Sequence, residues 1–123
     1  MNILIAEPLA PAGIELFQSQ PGWNTIVSNP KEYDRHLAEA DALLVRSAVQ
    51  VNQAALQKAP KLRVIGRAGV GVDNVDLDAA TLAGVLVMNT PGGNAISVAE
   101  HTLAMMLAMA RHIPQANTST RAG

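Results

Sequence analysis

Short apolar runs, each closed by glycine, proline or a polar pair, punctuate the chain from Asn2 to Met88. Asn2–Ala6 reads as a buried strand that opens the fold. Pro8 and Pro11 break it, and Pro11 suits the first turn of a helix running to about Ser19. Gly22 punctuates, and Trp23–Val27 has the alternation and β-branching of a strand. Asn29-Pro30 predicts a turn, with Ser28 or Asn29 capping a short helix around Lys31–Glu39. Ala42–Val45 is again wholly apolar, and a short helix over Asn52–Lys58 is stopped by Pro60. Leu62–Ile65 predicts the next strand. Asp76 or Asp78 starts a helix that Gly84 ends from the C′ position, and Val85–Met88 is the last strand.

Strands that alternate with helices, the central ones apolar on both faces, call for a parallel sheet covered by helices on both sides. Five of them predict an α/β fold, the doubly wound flavodoxin-like sheet. The pattern changes at Asn89-Thr90-Pro91-Gly92-Gly93-Asn94, which reads as a connection with Asn94 as a helix N-cap. The helix predicted over Ala95–Arg111 is apolar nearly all round from Leu103 to Ala110, so it expects burial on several sides. A five-stranded sheet covers only one of those sides. Pro114–Gly123 is polar and predicts no completed element, and the chain reads as stopping early.

Composition narrows the function. Apolar residues make up 49% and charged residues 15% of the 123 positions, which is a globular balance. The formal charge is −1, with no basic block and no basic–aromatic interleaving, which argues against nucleic acid. The absence of cysteine excludes disulfides and thiolate catalysis and fits a cytoplasmic protein. Met1–Ala6 lacks a basic n-region and is no signal peptide. Leu103–Ala110 falls well short of the ~20 residues a membrane span needs, so no membrane partner is expected. His36, His101 and His112 share no metal-ligand spacing, so no metal site is expected.

The chemistry gathers where the strands end. In a parallel sheet all strands finish along one edge, and ligands bind there. Glu7 follows the first strand, Arg46-Ser47 the third, Gly66–Gly71 the fourth and Asn89-Thr90 the fifth. Glycines let a ligand approach the main chain, and successive N–H groups can form an anion-binding concavity. Arg46 and Arg67 add planar cations suited to carboxylate or phosphate. The edge therefore suits a small polyanion, with the N–H groups near Val70 and Gly71 for a carboxylate. The plainer alternative pairs Arg46 and Arg67 with Asp41, Asp73 or Asp76 as ordinary surface ions. Gly66-x-x-Gly69-x-Gly71 is not the G-x-G-x-x-G of a dinucleotide site, and no stretch of the chain supplies that fingerprint.

Val45-Arg46-Ser47, Val64-Ile65-Gly66-Arg67-Ala68-Gly69-Val70-Gly71-Val72-Asp73-Asn74-Val75-Asp76, and Val87-Met88-Asn89-Thr90-Pro91 with Asn94 and Ala99-Glu100 resemble the D-isomer-specific 2-hydroxyacid dehydrogenases. Arg46-Ser47 and the Arg-Ala-Gly-Val-Gly form favour the members that oxidise 3-phospho-D-glycerate with NAD, the first step towards serine. The resemblance implies a flavodoxin-like substrate domain over residues 1–90. It implies that residues 91–123 hold a hinge and the first long helix of a truncated Rossmann domain, through which a homo-oligomer forms at residues 95–111. It implies that Arg46, Ser47, Arg67 and Asn94 approach the phosphorylated substrate, 3-phosphoglycerate. It further implies that the main chain at Gly69, Val70 and Gly71 holds the substrate carboxylate, and that Val70 also lies against the nicotinamide. The family's dinucleotide loop and its acid–base residues have no counterpart here, so this polypeptide alone is expected to be inactive. Two other classes compete: a non-catalytic module that binds small acids, and an oligomerising fragment whose long helix seeks a partner.

Overall fold

The computed structural model describes residues 1–123. They form two compact units, Met1–Pro91 and Gly92–Gly123. The first is built on strands β1 (Asn2–Ile5), β2 (Asn24–Val27), β3 (Ala42–Val45), β4 (Val64–Arg67) and β5 (Leu86–Asn89). All pair in parallel, in the order β2-β1-β3-β4-β5, which is the flavodoxin-like arrangement.

Helices lie on the two faces unequally. One core packs Leu4, Leu43, Val45 and Ile65 of the sheet with Leu37, Leu56 and Ala80. These come from a 3₁₀ helix at Tyr33–Glu39, from α2 (Gln53–Gln57) and from α3 (Leu77–Leu82). The opposite face packs Ile3, Ile5 and Ala42 against Ile14 and Phe17 of α1 (Pro11–Gln18). Helix α1 shields β1 and β2, while Leu86 and Met88 of β5 stay 61% and 55% exposed.

Local chemistry explains the helix boundaries. Asn52 and Asp76 cap α2 and α3, accepting from the N–H groups of Ala55 and Ala79 at 3.0 and 2.9 Å. Gly84, at φ +69°, supplies the left-handed turn after α3.

Several expectations are corrected. Strand β4 runs Val64–Arg67, not Leu62–Ile65, because the Leu62 N–H still closes a turn onto the Ala59 carbonyl. Gly66 is thus a strand residue beside Leu44, not part of the glycine turn. Strand β5 likewise starts one residue late, since the Val85 N–H caps back to the Ala80 carbonyl. The segment after Pro30 is 3₁₀ and starts only at Tyr33, with no side-chain cap. Asn29 instead accepts from the Lys31 N–H in a local turn.

The second unit is helical throughout: α4 (Ala95–Ala110) and α5 (Ile113–Ala122). Residues 114–122 therefore complete a helix that their polar character hid. His112, at φ +49°, breaks the two helices apart and Pro114 sits in the first turn of the second. Asn94 occupies the N-cap of α4, yet its side chain makes no capping bond. The expected burial of α4 is absent within the chain: Leu103, Met106, Leu107 and Met109 are each at least 60% exposed. No helix is long and apolar enough to cross a membrane.

The two sheet faces should respond differently to truncation. Leu43→Ala empties a fully buried site and should cost about 2–5 kcal/mol. Leu86→Ala, on the half-open face, should stay within about 0.5 kcal/mol. Urea unfolding of both variants checks this, and equal losses would contradict the asymmetry.

Candidate functional site

Glu7 lies just past the end of β1, after Ala6, and it turns inward. It is 5% exposed, and no lysine or arginine side chain pairs with it. Its Oε1 accepts from the N–H groups of Arg46 at 2.8 Å, Val49 at 2.9 Å and Ala48 at 3.2 Å. Oε2 accepts from Ala48 at 3.1 Å. Burial pushes the carboxyl up. The bonds from Val49, Arg46 and Ala48, with attraction from Arg46, outweigh that and hold it below the usual carboxylate range. The strand order reverses between β1 and β3, where this architecture leaves its binding crevice. Glu7 bridges that crevice from within, so the open part of the edge lies beyond β3, β4 and β5.

Asn74 holds the other side of the same loop. It is 4% exposed, and its Nδ2 donates to the carbonyls of Val49 at 2.7 Å and Arg46 at 2.9 Å. Its Oδ1 accepts from Arg67 Nε at 3.3 Å. A parallel bridge between Val51 and Val75 fixes the backbone around it. Loop 46–49 therefore has the N–H groups of Arg46, Ala48 and Val49 tied by Glu7, and two of its carbonyls tied by Asn74. The same amide orients Arg67.

The two arginines differ. Arg67 ends β4, opposite Val45, and its side chain is only 13% exposed. Its guanidinium lies over Gly69: a Cβ there would collide with Nη1 and sit 2.8 Å from Cζ. Its Nη2 is 3.9 Å from Asp73 Oδ1, so the ordinary-ion alternative holds here, at long range. Arg46 is exposed, pairs with no carboxylate, and reaches the Pro8 carbonyl at 3.5 Å. Asp41 accepts instead from the Asn2 N–H at 2.6 Å, and Asp76 is occupied as a helix cap. Ser47 is exposed beside Arg46.

Beyond β4 the chain turns sharply, with the Gly69 N–H on the Arg67 carbonyl at 2.9 Å. The Val70 side chain is 46% exposed, Gly71 is exposed, and neither N–H has a partner in the chain. Arg46, Ser47, Arg67, Gly69, Val70 and Gly71 thus share one edge of the Met1–Pro91 unit. Asn94 belongs to the other unit.

The sequence model described as "D-isomer specific 2-hydroxyacid dehydrogenase, catalytic domain" matches residues 3–122. The chain belongs to this family. D-3-phosphoglycerate dehydrogenase of Mycobacterium tuberculosis (strain H37Rv) is 51% identical over 124 residues, covering 97% of this chain and 23% of that protein. The chain thus spans about a quarter of the length of the curated relatives it matches. The NAD+-bound 3-phosphoglycerate dehydrogenase of Entamoeba histolytica is similar in structure, with a TM-score of 0.78 and 31% identity, covering 88% of this chain and 38% of that one. The TT0316 protein of Thermus thermophilus superposes with a TM-score of 0.91 at 29% identity, over 100% of this chain and 41% of that one.

The residues present in this dehydrogenase-family chain do not fit a dinucleotide pyrophosphate. Gly66 lies inside β4, and Gly69 and Gly71 are followed by loop, not by a helix start. The next helix opens only at Leu77, with Asp76 already on its N-terminal N–H groups.

Sequence reasoning placed the arginines and the amides on one edge but missed the roles of Glu7 and Asn74. A carboxylate just after the apolar run Ile3–Ala6 was the one available signal for Glu7. Asn74 gave none, because the two carbonyls it holds lie 25 and 28 positions away and only Arg67 is near it in sequence.

Two outcomes follow from this geometry. Glu7 has a lowered carboxyl in the folded state, so its stabilisation is complete above the ordinary glutamate value and is lost as pH falls through the lowered one. Glu7→Gln should cost about 1–3 kcal/mol near neutrality and flatten that acid limb. Denaturant unfolding across pH checks it, and an unchanged acid limb would count against Glu7 as its source. Gly69→Ala meets only the tip of Arg67, so stability should change by less than about 1 kcal/mol while the guanidinium is displaced. A crystal structure of the variant with Arg67 unmoved would contradict this.

Proposed function

We propose that this chain is the substrate-binding part of an NAD-dependent D-3-phosphoglycerate dehydrogenase, which oxidises 3-phospho-D-glycerate to 3-phosphohydroxypyruvate on the route to serine. One observation supports it most: two guanidinium groups and two unpartnered main-chain N–H groups occur on a single sheet edge, in a chain 51% identical to such an enzyme. The substrate carries a carboxylate at one end and a phosphate at the other. Two successive N–H groups suit the carboxylate. Arg46, exposed and without a salt bridge to any carboxylate, suits the phosphate with Ser47, and Arg67 supplies the second cation. The exposed Val70 side chain offers an apolar contact for the nicotinamide.

These residues bind and orient; none of them moves a hydride or a proton. The nicotinamide cofactor supplies the hydride acceptor when bound. Its dinucleotide loop is not among these residues, and on this reading the chain binds substrate without turning it over. It works in the cytoplasm and assembles through α4, whose exposed Leu103, Met106 and Leu107 form the face for a second copy.

Calorimetry tests the binding. The chain should take up 3-phosphoglycerate more tightly than unphosphorylated glycerate, and Arg46→Ala should weaken the former about tenfold or more, the loss of a charge-assisted contact. NADH should not form when NAD is added. Equal affinity for both acids, or no loss on Arg46→Ala, would refute the assignment of the phosphate to this edge.

A further inference from the structure

The N–H groups of Val70 and Gly71 have a reason to point the way they do. The Thr90 N–H donates to the Gly69 carbonyl at 3.0 Å, and Asn89 Nδ2 donates to the Val70 carbonyl at 2.7 Å. Every peptide bond in the chain is trans. In a trans peptide the carbonyl of one residue and the N–H of the next point in opposite directions. Pinning the Gly69 carbonyl towards β5 therefore turns the Val70 N–H away from β5. Pinning the Val70 carbonyl does the same to the Gly71 N–H. The strand on the other side of β4 is β3, which ends at Val45 and is followed by Arg46-Ser47.

We infer that Asn89 is a positioning residue that aims the Val70 and Gly71 N–H groups at the substrate carboxylate. The inference rests on the reading of this edge as the phosphoglycerate site. The Thr90 bond belongs to the main chain and fixes one peptide whatever its side chain. The Asn89 amide is the only donor on the second carbonyl, so that peptide loses its restraint when the amide is removed. Asn89 is also the last residue of β5, and Pro91 closes the Met1–Pro91 unit two positions later. The aim of the amides is therefore tied to the path of the chain where it leaves the sheet. A displacement of that connection that pulls Asn89 from Val70 would release the carboxylate site without moving Arg46, which Glu7 holds separately.

The test compares two probes that differ at one end: 3-phosphoglycerate, and glycerol 3-phosphate, which keeps the phosphate but has no carboxylate. Affinities are measured for the chain and for Asn89→Ala. The wild-type chain should prefer 3-phosphoglycerate. Asn89→Ala should lose about tenfold for 3-phosphoglycerate, the scale of one charge-assisted contact, and be unchanged for glycerol 3-phosphate. A merely structural role would weaken both alike, and that result overturns the inference, as does unchanged discrimination. Should Asn89→Ala not fold, amide NMR on the wild-type chain decides. Val70, Gly71 and the Asn89 side-chain NH2 should shift together with 3-phosphoglycerate and stay still with glycerol 3-phosphate. Binding without those shifts overturns the inference alone; no binding of either probe overturns the site reading and the inference with it.

Discussion

A single buried carboxylate sets the geometry of the candidate site. Glu7 takes no hydrogen bond from a cationic side chain; the N–H groups of Arg46, Ala48 and Val49 stabilise its charge instead. A buried, ionised acid without such donors would be very costly. The loop after β3 is therefore bound to adopt the shape that presents them. Asn74 then takes the carbonyls of Arg46 and Val49 from the other side. Loop 46–49 is short, exposed at Arg46, Ser47 and Ala48, and yet tied on both its donor and acceptor sides. A loop held this way presents its arginine with little ordering left to do when a ligand arrives.

The two cations solve the same problem differently. Arg46 has a fixed backbone and a free side chain. Arg67 has a fixed side chain, held by Asn74 at Nε and seated over Gly69, with Asp73 at the far end of its reach. Gly69 matters here for the space it leaves, since its backbone angle is not in the left-handed region. An anion approaching Arg67 competes only with an exposed carboxylate 3.9 Å away, a weak rival in water.

The sheet was legible because its central strands β1 and β3 are buried and mostly apolar, and the edge was legible because parallel strands end together. The starts of β4 and β5 were not. Leu62 and Val85 are only 7% exposed each, but they join the core before the ladder begins. Apolar character reports burial, not pairing. Polar residues hid α5, whose Thr118 and Thr120 hydroxyls return to carbonyls one turn back. Apolar residues on every side of α4 pointed to burial that this chain does not itself provide. The residues that aim the site escaped for a different reason. Glu7 and Asn89 act on partners 39–42 and 19 positions away, Asn74 holds carbonyls 25 and 28 positions away besides Arg67 nearby, and no local pattern encodes the distant contacts.

The most direct measurement is a crystal structure of the chain with 3-phosphoglycerate. The carboxylate should lie within hydrogen-bond distance of the Val70 and Gly71 N–H groups and the phosphate beside the Arg46 guanidinium. Density for the acid elsewhere, or with its phosphate on the amides and its carboxylate in solvent, would contradict this placement.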